Sequence, residues 1–352
     1  MTPDLMQLMA RQGNVFSSRQ SGRLGVTAHE RKTLLRSGTL IQLRDGIFTT
    51  RELFEAADVR GKHRTHAAGA LLARGWCPDQ PNRYIVGLRS AAFLHGLPFL
   101  PDSRMVDALN ADRSAVRLSP ELWAMRQEVL QIWRGEGPWH VDLINADRCR
   151  RTYRNGVDVR PAAVPHGHTV LDEGVPISSL SRTAVDLMRD GSMAGAIMAA
   201  DGALHLGAFR PELEGVAEFC ATWSHGHQAL EAIAFADGLA ESPAESLARW
   251  VCAQDERLVR PELQVDLYHR GEWIARVDLL FRRFRVVLEV DGRIKYSDPW
   301  CGDLQEALRL QHEREARLRT AGWTVIRTTW EELLTNPAGL IVRLLAACAR
   351  AA

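Results

Sequence analysis

Lysine is nearly absent from this sequence. Of 44 basic residues in 352, only Lys32, Lys62 and Lys295 are lysines; the rest are arginines. A GC-rich genome imposes such a bias, yet it makes each lysine a position worth placing. Clustered cysteine is also missing. Cys77, Cys149, Cys220, Cys252, Cys301 and Cys348 are scattered without a Cys-x-x-Cys pair, which argues against a zinc ribbon and against a disulfide framework. Long apolar runs are missing as well. The run from Met193 to Ala200 stops at Asp201, too short to cross a bilayer, and Asp4 stands where a signal peptide would be apolar. These absences lead us to expect a cytoplasmic protein with reduced thiols and no membrane partner. A dominant charge is lacking too: 44 basic residues meet 43 acidic ones, a net charge of +1, which excludes a histone-like tail and an acidic disordered tail. With 46% hydrophobic and 25% charged residues, the composition is that of a folded chain. At roughly 150 residues per domain the length predicts two to three domains.

Near-neutrality is a sum of unlike parts. Residues 1–50 hold seven basic and three acidic residues, residues 51–241 hold 20 and 24, and residues 242–352 hold 17 and 16. A basic head on a balanced body points toward nucleic acid.

In the head, Leu5, Leu8 and Met9 share one face of a short helix ending near Gly13. Ser17-Ser18-Arg19-Gln20 and Thr27-Ala28-His29-Glu30 have the form of capping boxes and open two more helices, the first stopped by Gly25 and the second near Gly38. Leu40–Leu43 and Ile47–Thr50 flank Arg44-Asp45-Gly46, a hairpin signal. Three short helices and a hairpin follow the order of a winged helix-turn-helix. The third helix would present His29, Arg31, Lys32 and Arg36, and the hairpin tip Arg44, to DNA phosphates; Arg31 or Lys32 would reach base edges. The competing reading is a small helical module that packs on the rest of the chain and uses these charges for solubility. Val15-Phe16-Ser17, the Gly25 break and the pattern from Arg36-Ser37-Gly38 to Leu43-Arg44-Asp45-Gly46-Ile47-Phe48 resemble the N-terminal domain of AbiEi-family antitoxins. That resemblance implies promoter binding, repression of an operon and a cognate toxin protein as partner.

Residues 51–240 are alanine-rich and read as mostly helical, with one strand-like stretch at Arg83-Tyr84-Ile85-Val86. This segment resembles the region between the same two end domains in actinobacterial AbiEi-like proteins, a likeness that transfers no chemistry. Ser90, His95 and Asp186 lack the Gly-x-Ser-x-Gly elbow of a hydrolase, so caps and core contacts are their default. His166-Gly167-His168 and His225-Gly226-His227 each lack a third ligand. The acidic balance makes the segment a poor DNA surface and favours protein binding or spacing.

Residues 241–352 carry the strongest signal. Ser242-Pro243-Ala244-Glu245 is a capping box with proline at the first helical position. Strands follow at Val265–Tyr268, Trp273–Phe281 and Phe284–Asp291, then a charged helix at Leu304–Thr320, a strand at Trp323–Thr328 and two helices. Acids interrupt the apolar strands at Asp278, Glu289 and Asp291. Residues two apart on a strand share a face, so Glu289 and Asp291 project together and Asp278 on the neighbouring strand sits beside them. Buried carboxylates cost several kcal/mol unless offset, and a divalent cation offsets them; Mg²⁺ keeps several waters, so two or three carboxylates suffice. Lys295 would offset charge on a transferring phosphate or orient water, and Glu245 would add a ligand or a base. Bland readings stand beside these: Glu245 as a helix cap, Asp291-Gly292 as a strand-ending turn, Lys295 as a surface residue. Arg314 and Arg327 either contact phosphate or pair with Glu313, Glu315 or Glu331.

The set Arg276-Val277-Asp278-Leu279, Val287-Leu288-Glu289-Val290-Asp291-Gly292, Arg314 to Leu318, and Gly322 to Arg327 with Trp330 resembles PD-(D/E)XK nucleases. More narrowly it resembles a family related to very-short-patch-repair endonucleases. This implies a restriction-endonuclease-like fold, Mg²⁺ (or Mn²⁺) and a DNA substrate. The nuclease signature expects lysine where Asp291 stands, with Lys295 as a migrated substitute, and the zinc site of the repair enzymes has no clustered cysteines here. The whole reads as an α+β multidomain protein: a winged helix-turn-helix at 1–50, a mostly helical middle domain at 51–240, and an α/β restriction-endonuclease-like domain at 241–352. The expected function is a DNA-binding, metal-dependent endonuclease. The alternative is a transcriptional repressor or antitoxin with a non-catalytic nuclease-like domain.

Overall fold

A computed structural model describes residues 1–78, 83–99, 140–291 and 304–351, and these form a mixed α/β protein with three sheets. In the head, α1 (Pro3–Ala10), β1 (Phe16–Ser17), α2 (Ser18–Arg23), α3 (Ala28–Arg36), β2 (Leu40–Arg44) and β3 (Ile47–Thr50) follow in turn. Both expected capping boxes form. Ser17 Oγ accepts from the Gln20 N–H and Thr27 Oγ1 from the Glu30 N–H, while each glutamine or glutamate side chain reaches back to its cap. The strands make an antiparallel sheet in the order β1-β3-β2. Leu5, Met9, Phe16, Val26, Leu40 and Phe48 fill the core between helices and sheet.

The middle differs from the mostly helical expectation. After α4 (Arg51–Ala56) and α5 (Val59–Leu72), β4 (Tyr84–Val86) and α6 (Leu88–His95) precede β5 (Val141–Asn145), β6 (Thr152–Arg154), β7 (Val157–Pro161), β8 (Thr169–Asp172) and β9 (Val175–Ser178). The strands form a six-stranded mixed sheet, β6-β7-β5-β4-β9-β8. Each strand is short and several carry polar residues, so their period-two signal is weak beside the long alanine runs. The helical content lies largely in α7 (Leu180–Met188), α8 (Met193–His205), α9 (Arg210–Phe219) and α10 (Gly226–Phe235), which pack around their own alanine-rich core.

The last segment begins with α11 (Pro243–Ala253). A four-stranded sheet follows from β10 (Glu262–His269), β11 (Glu272–Phe281), β12 (Val286–Asp291) and β13 (Thr324–Thr329) in sequential order. The first three strands are antiparallel. Strand β13 returns parallel to β12 after α12 (Leu304–Thr320), as a crossover helix permits. Helices α13 (Trp330–Thr335) and α14 (Pro337–Ala351) pack with α11 on one sheet face, around Leu247, Leu279, Leu288, Leu340 and Leu344.

The three parts are joined by packing. Val15 and Ile47 of the head share a core with Ala67, Leu71, Val141 and Ile177 of the middle. Met198 of α8 enters the core of the last segment. No disulfide forms among the described cysteines, and no described helix is long and apolar enough to cross a membrane.

Candidate functional site

The antiparallel ladder between β11 and β12 ends at Leu279 and Leu288. One residue beyond, Asp278 and Glu289 stand next to each other where the strands part. The Asp278 carboxylate takes the Val290 N–H at 2.8 Å, a donor that a backbone carbonyl would otherwise satisfy. Glu289 is buried, and its Oε1 accepts from Arg314 of α12 at 2.9 Å. Burial raises the Glu289 carboxyl, the Asp278 charge adds to the rise, and Arg314 and Arg327 offset it only in part, leaving it at about 7.

Glu245 is buried on the first turn of α11. Ser242 Oγ caps the Glu245 N–H as expected, but the reciprocal half of the capping box does not form: the Glu245 carboxylate accepts from the Ser242 hydroxyl at 2.8 Å, from the Glu241 N–H at 2.9 Å and from Gln264 Nε2 at 2.8 Å. Burial raises its carboxyl above the usual range, and the neighbouring Asp278 charge adds to that. Capping and proximity to Asp278 thus coexist in one residue. Gln264 has φ of +50° in the middle of β10, a left-handed backbone that is strained for this residue type. Nothing in the sequence signals that.

Asp291 departs from the expected arrangement. Both of its oxygens accept from Arg327 Nη1, at 2.9 and 3.1 Å, and Arg327 also pairs with Glu315 at 3.3 Å. Among the described residues, Asp278, Glu289 and Asp291 do not form a set of three ligand atoms within 4.8 Å of one another. Asp278 and Glu289 are the adjacent carboxylates here that could hold a hard cation, and Asp291 is paired with Arg327. Two carboxylates suffice for Mg²⁺, which retains water ligands. Lys295 lies outside the described residues.

The expected DNA-facing residues separate into two groups. His29, Lys32 and Arg36 are exposed along α3, and Arg19 and Arg23 are placed on α2. Arg31 turns inward and donates to Ser21 Oγ at 3.0 Å and to the Val26 carbonyl at 2.8 Å, tying α3 to α2. Arg44 reaches across to the middle sheet and donates to the Asn155 carbonyl at 2.8 Å. Ser90, His95 and Asp186 are engaged separately. Ser90 Oγ accepts the Asp142 N–H, His95 Nε2 meets the Ser178 carbonyl, and Asp186 pairs with Arg182.

One constellation was missed. His140, Asp142 and Asp158 bring one ligand atom each within 4.8 Å of the others. The signal was an acid interrupting an apolar strand, in Val141-Asp142-Leu143 and Val157-Asp158-Val159, the same pattern that singled out Asp278.

No family model matches the chain. Two proteins of Mycobacterium tuberculosis are similar to it: "Uncharacterized protein MT2308" of strain CDC 1551 / Oshkosh and "Uncharacterized protein Rv2248" of strain ATCC 25618 / H37Rv. Each is 32% identical over 168 residues, which is 46% of this chain and 58% of the relative. The chain thus spans less than two thirds of the length of these relatives.

Proposed function

We propose that this chain is a DNA-binding protein whose C-terminal segment is a metal-dependent nuclease of the restriction-endonuclease-like class. The observation that carries the reading is Glu289, a buried carboxylate placed against Asp278 with only partial compensation by arginine. The order of helix, three antiparallel strands, crossover helix and parallel strand supports the fold class. Asp278 and Glu289 would hold Mg²⁺ or Mn²⁺, which when bound polarises a phosphoryl oxygen and acidifies a water. Glu245 positions Gln264 beside them, and Lys295 is assigned to phosphate. In the head, the order α1-β1-α2-α3-β2-β3 supports a winged helix-turn-helix, with His29, Lys32 and Arg36 meeting phosphates. Arg31 and Arg44, engaged within the chain, are removed from that interface.

The test is a nicking assay on single-stranded, duplex and mismatched DNA with Mg²⁺ or Mn²⁺, under conditions where the protein binds DNA. Cleavage that disappears in Asp278→Asn and Glu289→Gln is expected. Binding without any cleavage overturns the nuclease reading.

One observation favours a second reading. Arg314 on Glu289 and Arg327 on Asp291 already supply cations from within the chain. In that case the segment is a non-catalytic scaffold, and the protein is a transcriptional repressor or antitoxin with a cognate toxin protein as partner. Equal, negligible Mg²⁺ binding by wild type and by the Asp278→Ala, Glu289→Ala variant, with DNA binding intact, is its signature.

A further inference from the structure

In the middle sheet, β5 and β7 lie side by side, and their parallel register places Asp142 directly beside Asp158. Alternation divides the two strands between faces. Val141, Leu143, Val157 and Val159 enter the core shared with the head, while Asp142, Ile144, Asp158 and Arg160 face the other way, under the start of α6. Two carboxylates side by side, each only 1% exposed, are costly to keep. Arg151 donates to both oxygens of Asp158 at 2.9 Å, and Arg160 approaches it at 3.5 Å while also pairing with Asp190. Arg89 stands 3.7 Å from Asp142 Oδ2. The other oxygen, Asp142 Oδ1, is fully buried and faces His140 Nε2 at 3.5 Å; burial works against the carboxylate, but Arg89, His140 and Arg160 together hold the Asp142 carboxyl down at about 2. The His140 ring is stacked on Tyr153 of β6, at 5.3 Å and 15°, which fixes its plane.

That spacing has a chemical meaning. With metal–ligand bonds of about 2.0–2.2 Å, two donors of a tetrahedral site lie roughly 3.3–3.6 Å apart. An imidazole nitrogen with two carboxylate oxygens is a donor set for Zn²⁺ and similar transition metals rather than for Mg²⁺. We infer that His140, Asp142 and Asp158 form a second metal site, for a zinc-class divalent cation, separate from the acidic pair at Asp278 and Glu289. Three protein ligands leave a coordination position for water or a bound molecule. Arg151 and Arg160, which touch Asp158, also line a cavity of about 540 Å³ with Leu88, Ile144 and Trp223.

The experiment titrates Co²⁺, then competing Zn²⁺, into the chelator-stripped full chain, reading bound metal and the visible absorption of four-coordinate Co²⁺. One equivalent with that absorption is expected. Asp142→Asn and Asp158→Asn should each weaken it at least tenfold, and the Asp278→Asn, Glu289→Gln variant should leave it unchanged. Because the buried aspartates also serve the fold, Arg151→Gln is the companion variant. It frees the Asp158 oxygens from a half-exposed arginine and should tighten Co²⁺ binding several-fold. No uptake by wild type, uptake unchanged in a folded Asp142→Asn protein, or weaker binding in Arg151→Gln would each overturn the site. An ordinary His140–Asp142 ion pair predicts the first of these.

Discussion

At the scale of single residues, this protein spends its arginines inside. Arg249 and Asp201 are each 1% exposed and make a two-point pair at 2.6 and 2.7 Å, with the guanidinium also on the Phe235 carbonyl and 4.2 Å from that ring. A buried pair adds little net stability over an apolar replacement, but removing one partner strands the other. Arg249→Ala should therefore cost about 3–5 kcal/mol in denaturant unfolding. Adding Asp201→Asn should recover part of that loss; a loss that simply adds would show that the two side chains do not act as a pair. His66 gives a pH dependence. Burial, with Arg44 nearby, lowers its pKa to about 4, and it packs edge-on against Phe54, over which Lys62 also lies. A histidine held neutral when folded takes up its proton more readily when unfolded. Stability is therefore full above pH about 6.5 and falls as pH drops toward 4. His66→Gln should flatten the melting temperature across that window, and an unchanged slope would assign it to other groups.

At the scale of elements, the capping boxes were the most legible feature. Ser17 with Gln20 and Thr27 with Glu30 could be read directly because a cap is a local contract between residues three apart, and Ser242 caps the Glu245 N–H by the same spacing although Glu245 turns back to the Glu241 N–H instead. Thr27→Ala should cost about 1 kcal/mol, visible as a lower urea midpoint with unchanged slope. The strands of the last segment were legible from residue type: Val286–Asp291 is an apolar run interrupted by acids, and Thr324–Thr329 is dominated by β-branched residues. The middle sheet was not. Tyr84–Val86 takes its identity from Val141–Asn145 and Val175–Ser178, partners far along the chain, whereas Thr152–Arg154 and Val157–Pro161 pair with each other across Asn155-Gly156, a local hairpin signal that the helical reading of the segment passes over. The site followed the same division. Acids on apolar strands were visible, whereas the choice of Arg327 as partner for Asp291 depended on how β13 lies against β12.

At the scale of the whole molecule, the basic head is not a free arm. Gly13 has φ of +70°, and a Cβ there would lie 2.7 Å from both Ala68 and Val175. Arg44 and the shared core at Val15 and Ile47 add to this docking. Gly13→Ala combines a left-handed alanine with overpacking and should cost at least about 2 kcal/mol. Deleting residues 1–50 should expose the Ala67–Leu71 face and lower the melting temperature of the remainder; an unaltered melt would show that head and middle are independent. Docking also bears on DNA binding. Lys32→Ala with Arg36→Ala should weaken DNA binding across sequences and flatten its salt dependence by about one unit for each phosphate no longer neutralised. Arg31→Ala should act mainly through stability, because its guanidinium ties α3 to α2.

Charge segregation, scarce lysine, helix caps and the acids that break apolar strands were all determined by the sequence, because each depends on residue type and short spacing. Only the tertiary structure decided which charges remain available. Lys32 and Arg36 face solvent, while Arg31 and Arg44 are absorbed into packing, and Asp291 is drawn to Arg327. It also decided that Asp142 and Asp158 meet across two strands with His140 beside them. The reason is physical: a buried charge is paired with whatever the fold brings within a few ångströms, and that neighbour is set by strand register and helix docking rather than by the adjacent residues.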